Sequence, residues 1–417
     1  MKYLIIGNSA AGINASDAVR TLDKKGDITI VSNEEFPAYG RPLISYFLSG
    51  KVKAENMNYR DEDFYSLRNI KLLLNTEAEK VDAVKKKVTF RGGGKVDYDK
   101  LLIACGSTPF VPEIKNLKEQ KNVFTFLTYK DSIKLKEALS KDSKVIIAGA
   151  GLIGLKAAEG LYGQVEKITV IDLADRLMSS VLDKTAADII EKHIKEKDIE
   201  VLHNIYIEEV EGKEKVKRVK FSNGDRPECD ILIIAIGVRP NIKLAVSAGI
   251  KTERGIIVDE YMQTSQKDIY AAGDCVESLD MLSNENKVLA LWPNATTQGE
   301  TAGFNMTGKR HKAPASFAMN AISFFGLQLI SAGIVSSGDA NNLFSDTRGD
   351  KFRRLNIAND NLIGFVLIND NQRAGIYTAL INDRTKLSSL EYDIKSKDIG
   401  LNIYPKEARK GKAWGKL

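Results

Sequence analysis

Hydrophobic and polar residues follow a strand, turn and helix pattern at the start of the chain. Lys2–Ile6 is a short apolar run, Gly7–Gly12 is rich in glycine and small residues, and Ile13–Leu22 has apolar residues at near-helical spacing. Asp27–Val31 is a second short apolar run. Short runs of this kind indicate strands, and the spacing between them indicates a helix. The sequence therefore predicts a βαβ unit with a glycine turn after its first strand.

The same pattern returns in the middle of the chain. Lys144–Ala148 predicts a strand, Gly149–Gly154 a turn, Leu155–Tyr162 a helix and Lys167–Ile171 a second strand, which is followed at once by Asp172. All three glycines of the G-x-G-x-x-G fingerprint are present here. The chain thus contains two copies of one predicted unit.

Both glycine turns have the composition of dinucleotide-binding loops. Such a turn lets a pyrophosphate approach the backbone, where free N–H groups and the positive end of the helix stabilise it. The first copy departs from the fingerprint at Ser9, and its matching acid is Glu34 or Glu35. In the second copy, Asp172 suits an adenosine ribose and repels a 2′-phosphate, which favours NAD(H), although Arg176 nearby weakens that preference. Two bound dinucleotides are implied; the alternative is that one copy is a purely structural repeat.

The composition is that of an ordinary globular protein with more than one domain. The chain has 417 residues, of which 43% are hydrophobic and 28% charged, and this excludes a disordered or fibrous protein. The apolar run at the start is too short for a signal-peptide core, and no later stretch approaches the ~20 apolar residues of a membrane span. We therefore expect a soluble cytoplasmic protein.

The net charge of +6 is spread along the chain except near its carboxyl terminus. There, a single acid, Glu407, stands among the basic residues Lys406, Arg409, Lys410, Lys412 and Lys416. This segment is either a solvated tail or a docking surface, since a cationic field speeds encounter with an anionic protein. The charge bias is too small for nucleic-acid binding, and an aromatic-basic motif is lacking.

The cysteine and histidine residues give no local sign of a redox or metal centre. Cys105, Cys229 and Cys275 are far apart and form no CxxC or CxxxxC pair, so their spacing indicates neither a disulfide framework nor a dithiol centre. A packing role is the simplest interpretation of all three. The three histidines lack zinc-ligand spacing, and no metal site is predicted.

Further ordered motifs resemble those of the FAD-dependent pyridine nucleotide-disulfide oxidoreductase family. Leu101–Pro109 and Ile231–Asn241 are similar to the segments that close the family's FAD and NAD domains, and Asp268–Cys275 is similar to its second FAD motif. Pro37–Ser45 and Leu291–Gly299 resemble segments of single-flavin members in the rubredoxin-reductase and nitrite-reductase branch. The resemblance covers nearly all of the chain.

The resemblance implies an α/β fold with two Rossmann-like dinucleotide-binding domains and a C-terminal α+β domain. The NAD domain, residues 111–241, would be inserted in an FAD domain made of residues 1–110 and 242–312. Residues 313–417 would form the α+β domain, which often supplies an interface in the family. Its apolar runs predict three strands and one helix, at Phe317–Phe325, Phe352–Ile357, Leu362–Ile368 and Ala374–Asn382.

The resemblance also implies which residues contact the two cofactors, FAD and NAD(H). Asp274 would hold the ribityl chain of FAD. The position of a family arginine that often contacts the FAD pyrophosphate is occupied by Leu127, so that contact is either lost or made by Arg41. The residues expected at FAD are Gly7, Ser9, Ala10, Ala11, Gly12, Glu34, Glu35, Arg41, Pro42, Val81, Ala104, Cys105, Gly106, Gly273, Asp274, Trp292 and Ala295. The residues expected at NAD(H) are Gly149, Gly151, Leu152, Ile153, Gly154, Asp172 and Gly237.

The thiol chemistry of the family is not expected here, because the segment that carries its reactive cysteines corresponds to Ala38–Lys53, which contains none. Relatives commonly have lysine at the position of Tyr46 and glutamate at the position of Lys156. We hypothesise that Lys156, with Tyr46 as its neighbour, supplies the catalytic cation that stabilises anionic reduced flavin. The alternative is that Lys156 points to solvent. Glu159 either faces the nicotinamide carboxamide or forms a surface pair.

These features predict an FAD-dependent NADH oxidoreductase that passes electrons to an acceptor protein, such as rubredoxin or another small iron–sulfur protein. Flavin chemistry requires orientation more than acid or base side chains. One rival interpretation is an NADH oxidase that uses oxygen or a small molecule. Another is a redox-sensing flavoprotein without turnover, or the flavin subunit of a larger complex. The C-terminal domain would then provide the partner surface, and it could also form a homo-oligomer.

Overall fold

A computed structural model describes residues 1–335, 342–396 and 399–409 of the chain. Of the basic residues near the carboxyl terminus, Lys410, Lys412 and Lys416 lie outside these ranges. The helices, in chain order, are α1 (Ala10–Leu22), α2 (Ile44–Leu48), α3 (Phe64–Leu67), α4 (Tyr129–Ala138), α5 (Leu152–Leu161), α6 (Lys184–Lys195), α7 (Lys243–Ser247), α8 (Trp292–Met306) and α9 (Ala374–Asn382).

The strands are shorter than most of the helices. In chain order they are β1 (Lys2–Ile6), β2 (Asp27–Val31), β3 (Ile70–Leu73), β4 (Ala78–Asp82), β5 (Lys87–Phe90), β6 (Lys95–Asp97), β7 (Lys100–Ile103), β8 (Ser107–Pro109), β9 (Val123–Thr125), β10 (Lys144–Ala148), β11 (Lys167–Ile171), β12 (Glu200–Leu202), β13 (Ile207–Glu211), β14 (Arg218–Phe221), β15 (Ile231–Ile234), β16 (Val238–Pro240), β17 (Ile256–Ile257), β18 (Ile269–Ala271), β19 (Val276–Asp280), β20 (Glu285–Lys287), β21 (Met319–Phe324), β22 (Leu327–Gly333), β23 (Asn342–Arg348), β24 (Lys351–Ala358) and β25 (Asn361–Ile368).

Contacts between residues divide the chain into two compact units. The first unit consists of Met1–Pro112, Phe124–Leu139 and Ile234–Ser316. The second unit consists of Glu113–Val123, Ser140–Ile233 and the described residues from Phe317 onward. The finer division into FAD, NAD and C-terminal domains, which the resemblance implies, stays a prediction.

The first unit is built on a parallel sheet in the order β18–β7–β1–β2–β3. Ile6 at the end of β1 pairs with Val31 of β2 and with Ile103 of β7, so the carboxyl ends of these strands meet at one edge. Helices α1 and α8 pack closely, because α8 has glycine where the two backbones meet. A Cβ atom at Gly299 would lie only 2.1 Å from the carbonyl oxygen of Ala11.

The second unit contains a Rossmann-like sheet and an antiparallel sheet. Strands β10, β11 and β12 are parallel neighbours, with Ala148 opposite Ile171. The antiparallel sheet has the order β21–β22–β25–β24–β23, and the buried Phe365 of β25 lies 5.5 Å from the ring of Tyr377 on α9. Each sheet thus has a buried apolar face, as expected for layers packed against helices.

The structure confirms the predicted fold class, two Rossmann-like regions and a C-terminal α+β region. The helices α1 and α5 begin earlier than the sequence predicted, at Ala10 and Leu152, because the last three residues of each glycine turn already belong to the first helical turn. In the C-terminal region, strands β22 and β23 were not predicted. Within the described ranges, the helices are all too short or too polar to span a bilayer.

Candidate functional site

The glycine turn after β1 has a backbone path that only glycine can follow. Gly7 has φ +122°, and a Cβ atom there would lie 2.0 Å from the carbonyl oxygen of Ala104. A Cβ atom at Gly12 would lie 1.9 Å from the carbonyl oxygen of Gly7. Separations this small exclude any side chain, so the turn stays tight and its backbone stays accessible. This is the form of cradle into which a pyrophosphate group fits.

The start of α1 is suited to an anion. Ser9 is the N-cap residue of α1 and has an extended backbone. In the part of the chain that the structure describes, its hydroxyl accepts no hydrogen bond from the first N–H groups of the helix. Instead, that hydroxyl lies 3.4 Å from Nε of Arg41. Uncapped N–H groups and a nearby guanidinium both favour a phosphate oxygen at this position.

Three segments that the resemblance assigned to FAD come together beside this turn. A Cβ atom at Gly273 would lie 3.3 Å from the Cβ of Ala11 and 3.7 Å from the Cβ of Ala295. The Gly273 N–H donates to Oε1 of Gln298 at 2.8 Å, which fixes this close approach. The small side chains of these segments therefore line one region of the first unit.

The structure distinguishes the two candidate acids after β2. Glu34 forms an ion pair with Arg41 and accepts a hydrogen bond from the Tyr39 hydroxyl at 2.7 Å. Glu35 instead pairs with Lys130, at 2.9 Å, and is more exposed. Because Arg41 joins Glu34 to the glycine turn, Glu34 is the better candidate for a ribose contact.

Arg41 connects several predicted FAD residues. Besides its contacts with Ser9 and Glu34, it donates to the carbonyl oxygen of Leu127 at 3.2 Å. Burial raises the pKa of Asp274, and this effect is opposed by the positive charge of Arg41 and by a hydrogen bond from the Ser107 hydroxyl at 3.4 Å. Arg41 and Asp274 thus act on each other electrostatically within the first unit.

The remaining FAD candidates occupy varied positions in the first unit. Val81 is buried in β4, and its N–H donates to the Ser247 hydroxyl at 3.2 Å. Trp292 begins α8 and packs edge-on against Tyr59 at 5.0 Å. The other candidates lie at the start of α1, after Arg41 and after β7, at Ala10, Pro42, Ala104, Cys105 and Gly106. Their contacts with a cofactor stay predictions.

The glycine turn after β10 repeats the geometry of the first. Gly149 has φ +111°, and a Cβ atom at Gly154 would lie 1.9 Å from the carbonyl oxygen of Gly149. A Cβ atom at Gly151 would meet nothing within 4 Å among the described residues, so open space adjoins the turn there. Leu152 and Ile153 form the first turn of α5. The second turn therefore also fits a pyrophosphate group.

Asp172 is fixed directly against this second turn. Its Oδ2 atom accepts the N–H of Ala150 at 2.6 Å, and its Oδ1 atom accepts the N–H of Ala174 at 2.8 Å. Arg176 bonds to Asp175 and to carbonyl oxygens of its own loop, including that of Leu182 at 3.2 Å. A carboxylate held at the turn suits the ribose of NAD(H). The guanidinium of Arg176 is already bonded to groups of its own loop.

Gly237, the remaining NAD(H) candidate, belongs to the first unit.

The two proposed catalytic residues lie in different units. Tyr46 is on α2 in the first unit, and Lys156 is on α5 in the second. Lys156 does not point to solvent: its side chain is 12% exposed, pairs with Glu159 and lies 3.3 Å from the carbonyl oxygen of Ser323. Glu159 also accepts the N–H of Phe325 at 3.1 Å. Sequence reasoning did not anticipate that the β21–β22 hairpin would contact both residues of this ion pair.

Comparison with known proteins identifies two regions of the chain. Residues 1–299 match the family described as pyridine nucleotide-disulphide oxidoreductase. Residues 319–385 match the family described as rubredoxin NAD+ reductase C-terminal domain.

Individual relatives cover most of the sequence. The chain is 29% identical to the epsilon subunit of an NADH-dependent phenylglyoxylate dehydrogenase from Aromatoleum evansii, over 93% of each protein. It is 34% identical to an NADH oxidase from Methanocaldococcus jannaschii, over 75% of this chain and 71% of that protein. Among solved structures, NADH:rubredoxin oxidoreductase from Clostridium acetobutylicum has a TM-score of 0.78 at 26% identity, over 95% of this chain and 98% of that one.

Proposed function

We propose that this chain, which belongs to the pyridine nucleotide-disulphide oxidoreductase family, takes electrons from NADH through FAD and passes them to a small iron–sulfur protein of the rubredoxin type. The observation that carries the choice of acceptor is the match of residues 319–385 to the rubredoxin NAD+ reductase C-terminal domain. The net charge of +6 supports it, because positive charge favours encounter with an acidic electron carrier. The free cysteines fit a reducing compartment, the cytoplasm.

The side chains described above would bind and orient the two dinucleotides. Bound FAD would accept an electron pair from NADH and release electrons singly to the acceptor. In the first unit, the turn from Gly7 to Gly12 would hold the pyrophosphate, with Arg41 as its countercharge and Glu34 at the ribose. In the second unit, the turn from Gly149 to Gly154 would hold the pyrophosphate of NADH, with Asp172 at its ribose.

Steady-state turnover distinguishes the acceptor protein from oxygen. The purified chain with FAD should consume NADH slowly in air and much faster when oxidised rubredoxin is added, with rubredoxin reduced in proportion to NADH consumed. Equal rates with and without rubredoxin would contradict the proposed acceptor while leaving FAD and NADH in place.

Two relatives favour specific second candidates. The 34% identity to an NADH oxidase supports direct use of oxygen, and rapid NADH consumption in air alone would establish it. The match to a dehydrogenase epsilon subunit over nearly its full length supports a role as the flavin subunit of a complex. In that case the isolated chain should be reduced by NADH but should turn over with neither oxygen nor rubredoxin.

Asp172→Ala should weaken use of NADH and reduce the preference over NADPH. The substitution removes the acceptor for the Ala150 N–H and for the ribose hydroxyls, and it removes the charge that repels a 2′-phosphate. Loss of such a charged hydrogen bond costs ~1.5–3 kcal/mol, so we expect kcat/KM for NADH to fall by about 10- to 100-fold. The value for NADPH should fall less.

Asp188→Ala is the matched control for this variant, because Asp188 lies on α6 of the same unit, is exposed and pairs with Lys184 rather than with the glycine turn. It should keep kcat/KM for both nucleotides near the wild-type values. If Asp172→Ala retained the full NADH preference, the ribose assignment would be wrong.

Lys156→Met tests whether Lys156 acts on the flavin. The hypothesis expects a lower flavin midpoint potential and slower reduction by NADH, because a positive charge that favours reduced flavin is removed. Glu159 keeps its carboxylate in this variant, so the full positive charge of the ammonium group is lost from the pair. Tyr46→Phe is the companion variant. An unchanged potential together with an unchanged reduction rate in Lys156→Met would restrict Lys156 to a structural role.

A further inference from the structure

The segment between β11 and α6 is attached at both of its ends to other parts of the second unit. At its start, Asp172 accepts the N–H of Ala150 in the glycine turn at 2.6 Å. At its end, Asp183 is the N-cap residue of α6, and its Oδ1 atom accepts the N–H of Ala186 at 3.2 Å. The Oδ2 atom of Asp183 forms an ion pair with Arg354 of β24. The segment that carries the expected ribose contact is therefore fixed at its far end by the antiparallel sheet.

The ion pair between Arg354 and Asp183 is buried. The two side chains are only 9% and 15% exposed. Within the described ranges, Nε of Arg354 has no hydrogen-bond partner, and Asp183 is the one carboxylate paired with this guanidinium. The neighbouring Arg353 lies on the opposite face of the sheet, where it donates to the Tyr377 hydroxyl at 3.0 Å. Separating a buried pair leaves each charge uncompensated, so Arg354 and Asp183 stay together.

The segment between its two attachments is packed rather than loose. Leu177, Met178 and Leu182 are buried, and the N–H of Met178 donates to the carbonyl oxygen of Ala150 at 3.0 Å. Close-packed interiors transmit displacements instead of absorbing them. A shift at the far end of the segment is therefore passed on toward the glycine turn and Asp172.

The same sheet also holds the helix that begins at the glycine turn. Glu159 of α5 accepts the N–H of Phe325 at 3.1 Å, and Lys156 donates to the carbonyl oxygen of Ser323 at 3.3 Å. Both elements that follow the turn in space, α5 and the segment after β11, thus have polar attachments to strands β21–β25.

We propose that Arg354 is a positioning residue for NADH. Its ion pair with Asp183 fixes the segment that carries Asp172, and it thereby places the Asp172 carboxylate for the adenosine ribose. The antiparallel sheet then takes part in nucleotide recognition through a residue outside the binding site. This inference rests on the proposed function, because it requires that NADH binds at the second glycine turn.

The double variant Arg354→Met, Asp183→Asn tests the inference. It removes both charges, so neither is buried alone, and asparagine still caps α6. Stopped-flow reduction of the FAD-containing protein at increasing NADH concentrations measures the Kd and the limiting rate. The Kd should rise by about 3- to 30-fold, the usual range for a residue coupled to a site without contacting its ligand. The limiting rate and the FAD content should stay near wild type, because the turn assigned to FAD belongs to the first unit.

The preference for NADH over NADPH is a second readout. It should fall in the double variant, because Asp172 is no longer held where it repels a 2′-phosphate. A ratio of this kind does not change when a variant merely yields less folded protein. It therefore separates positioning from a purely stabilising role.

Two control variants accompany the double variant. Asp183→Asn alone should retain most of the NADH affinity, because its amide oxygen still accepts a hydrogen bond from Arg354. Lys184→Met, Asp188→Asn removes an exposed ion pair from the same helix and should keep the wild-type Kd.

The outcomes separate this inference from the proposed function. A wild-type Kd and a wild-type nucleotide preference in the double variant would overturn the positioning role alone. An equal loss of affinity in Asp183→Asn alone would also overturn it, because the charge of Asp183 and not the attachment to Arg354 would then be responsible. A wild-type flavin that NADH does not reduce would contradict the proposed function, and this inference with it.

Discussion

Replacing Gly154 by alanine should abolish reduction by NADH while FAD stays bound. The new Cβ atom would lie 1.9 Å from the carbonyl oxygen of Gly149, so the turn after β10 must move. Displacing a binding group by about 1 Å can cost ~100-fold in rate, and we expect at least that loss in kcat/KM for NADH. The glycine turn assigned to FAD belongs to the other unit and is unchanged. Stopped-flow reduction by NADH and the flavin absorbance of the purified protein measure the two properties.

Two further glycine variants make this prediction specific. Gly12→Ala, which meets the Gly7 carbonyl oxygen at the same 1.9 Å, should instead yield protein without FAD. Gly375→Ala, on α9, meets nothing within 4 Å in the described ranges and should behave as wild type in both assays. Reduction of Gly154→Ala by NADH at the wild-type rate would show that the second turn does not bind the nucleotide.

Glu159→Leu should strongly destabilise the second unit. The Glu159 and Lys156 side chains are only 8% and 12% exposed, and the substitution removes the carboxylate that neutralises a buried ammonium group. Breaking a buried pair in this way typically costs ~3–5 kcal/mol of unfolding free energy. It also removes the acceptor for the N–H of Phe325 in the β21–β22 turn. Denaturant unfolding measures the change.

An exposed ion pair of the same unit is the matched control. Lys184 and Asp188 on α6 are 78% and 55% exposed, so Asp188→Ala should cost at most ~1 kcal/mol. The double variant Lys156→Met, Glu159→Leu should recover part of the loss, because the charge is no longer buried. A cost for Glu159→Leu no greater than that for Asp188→Ala would contradict the account of this pair.

The sequence was most informative where structure is determined by neighbouring residues. Each glycine turn and its flanking strands form a local pattern, so the two Rossmann-like regions could be predicted. Strand β23 could not be predicted, because it lies at the edge of its sheet. Its side chains from Leu343 to Arg348 are largely exposed, so the strand has little apolar pattern. An edge strand gains much of its order from pairing, which sequence periodicity does not report.

The candidate sites could be predicted only as far as they depend on local order. Whether Glu34 or Glu35 faces the turn depends on Arg41 and Lys130, which lie elsewhere in the sequence. Long-range contacts of this kind leave no pattern in residue spacing.

Anaerobic mixing tests the two-dinucleotide account most directly. The FAD-containing protein is mixed first with NADH and then with oxidised rubredoxin, while the visible absorbance of the flavin is followed. The absorbance should be lost on the first mixing and return on the second, as rubredoxin is reduced. A flavin absorbance that NADH leaves unchanged would contradict electron transfer between the two predicted sites.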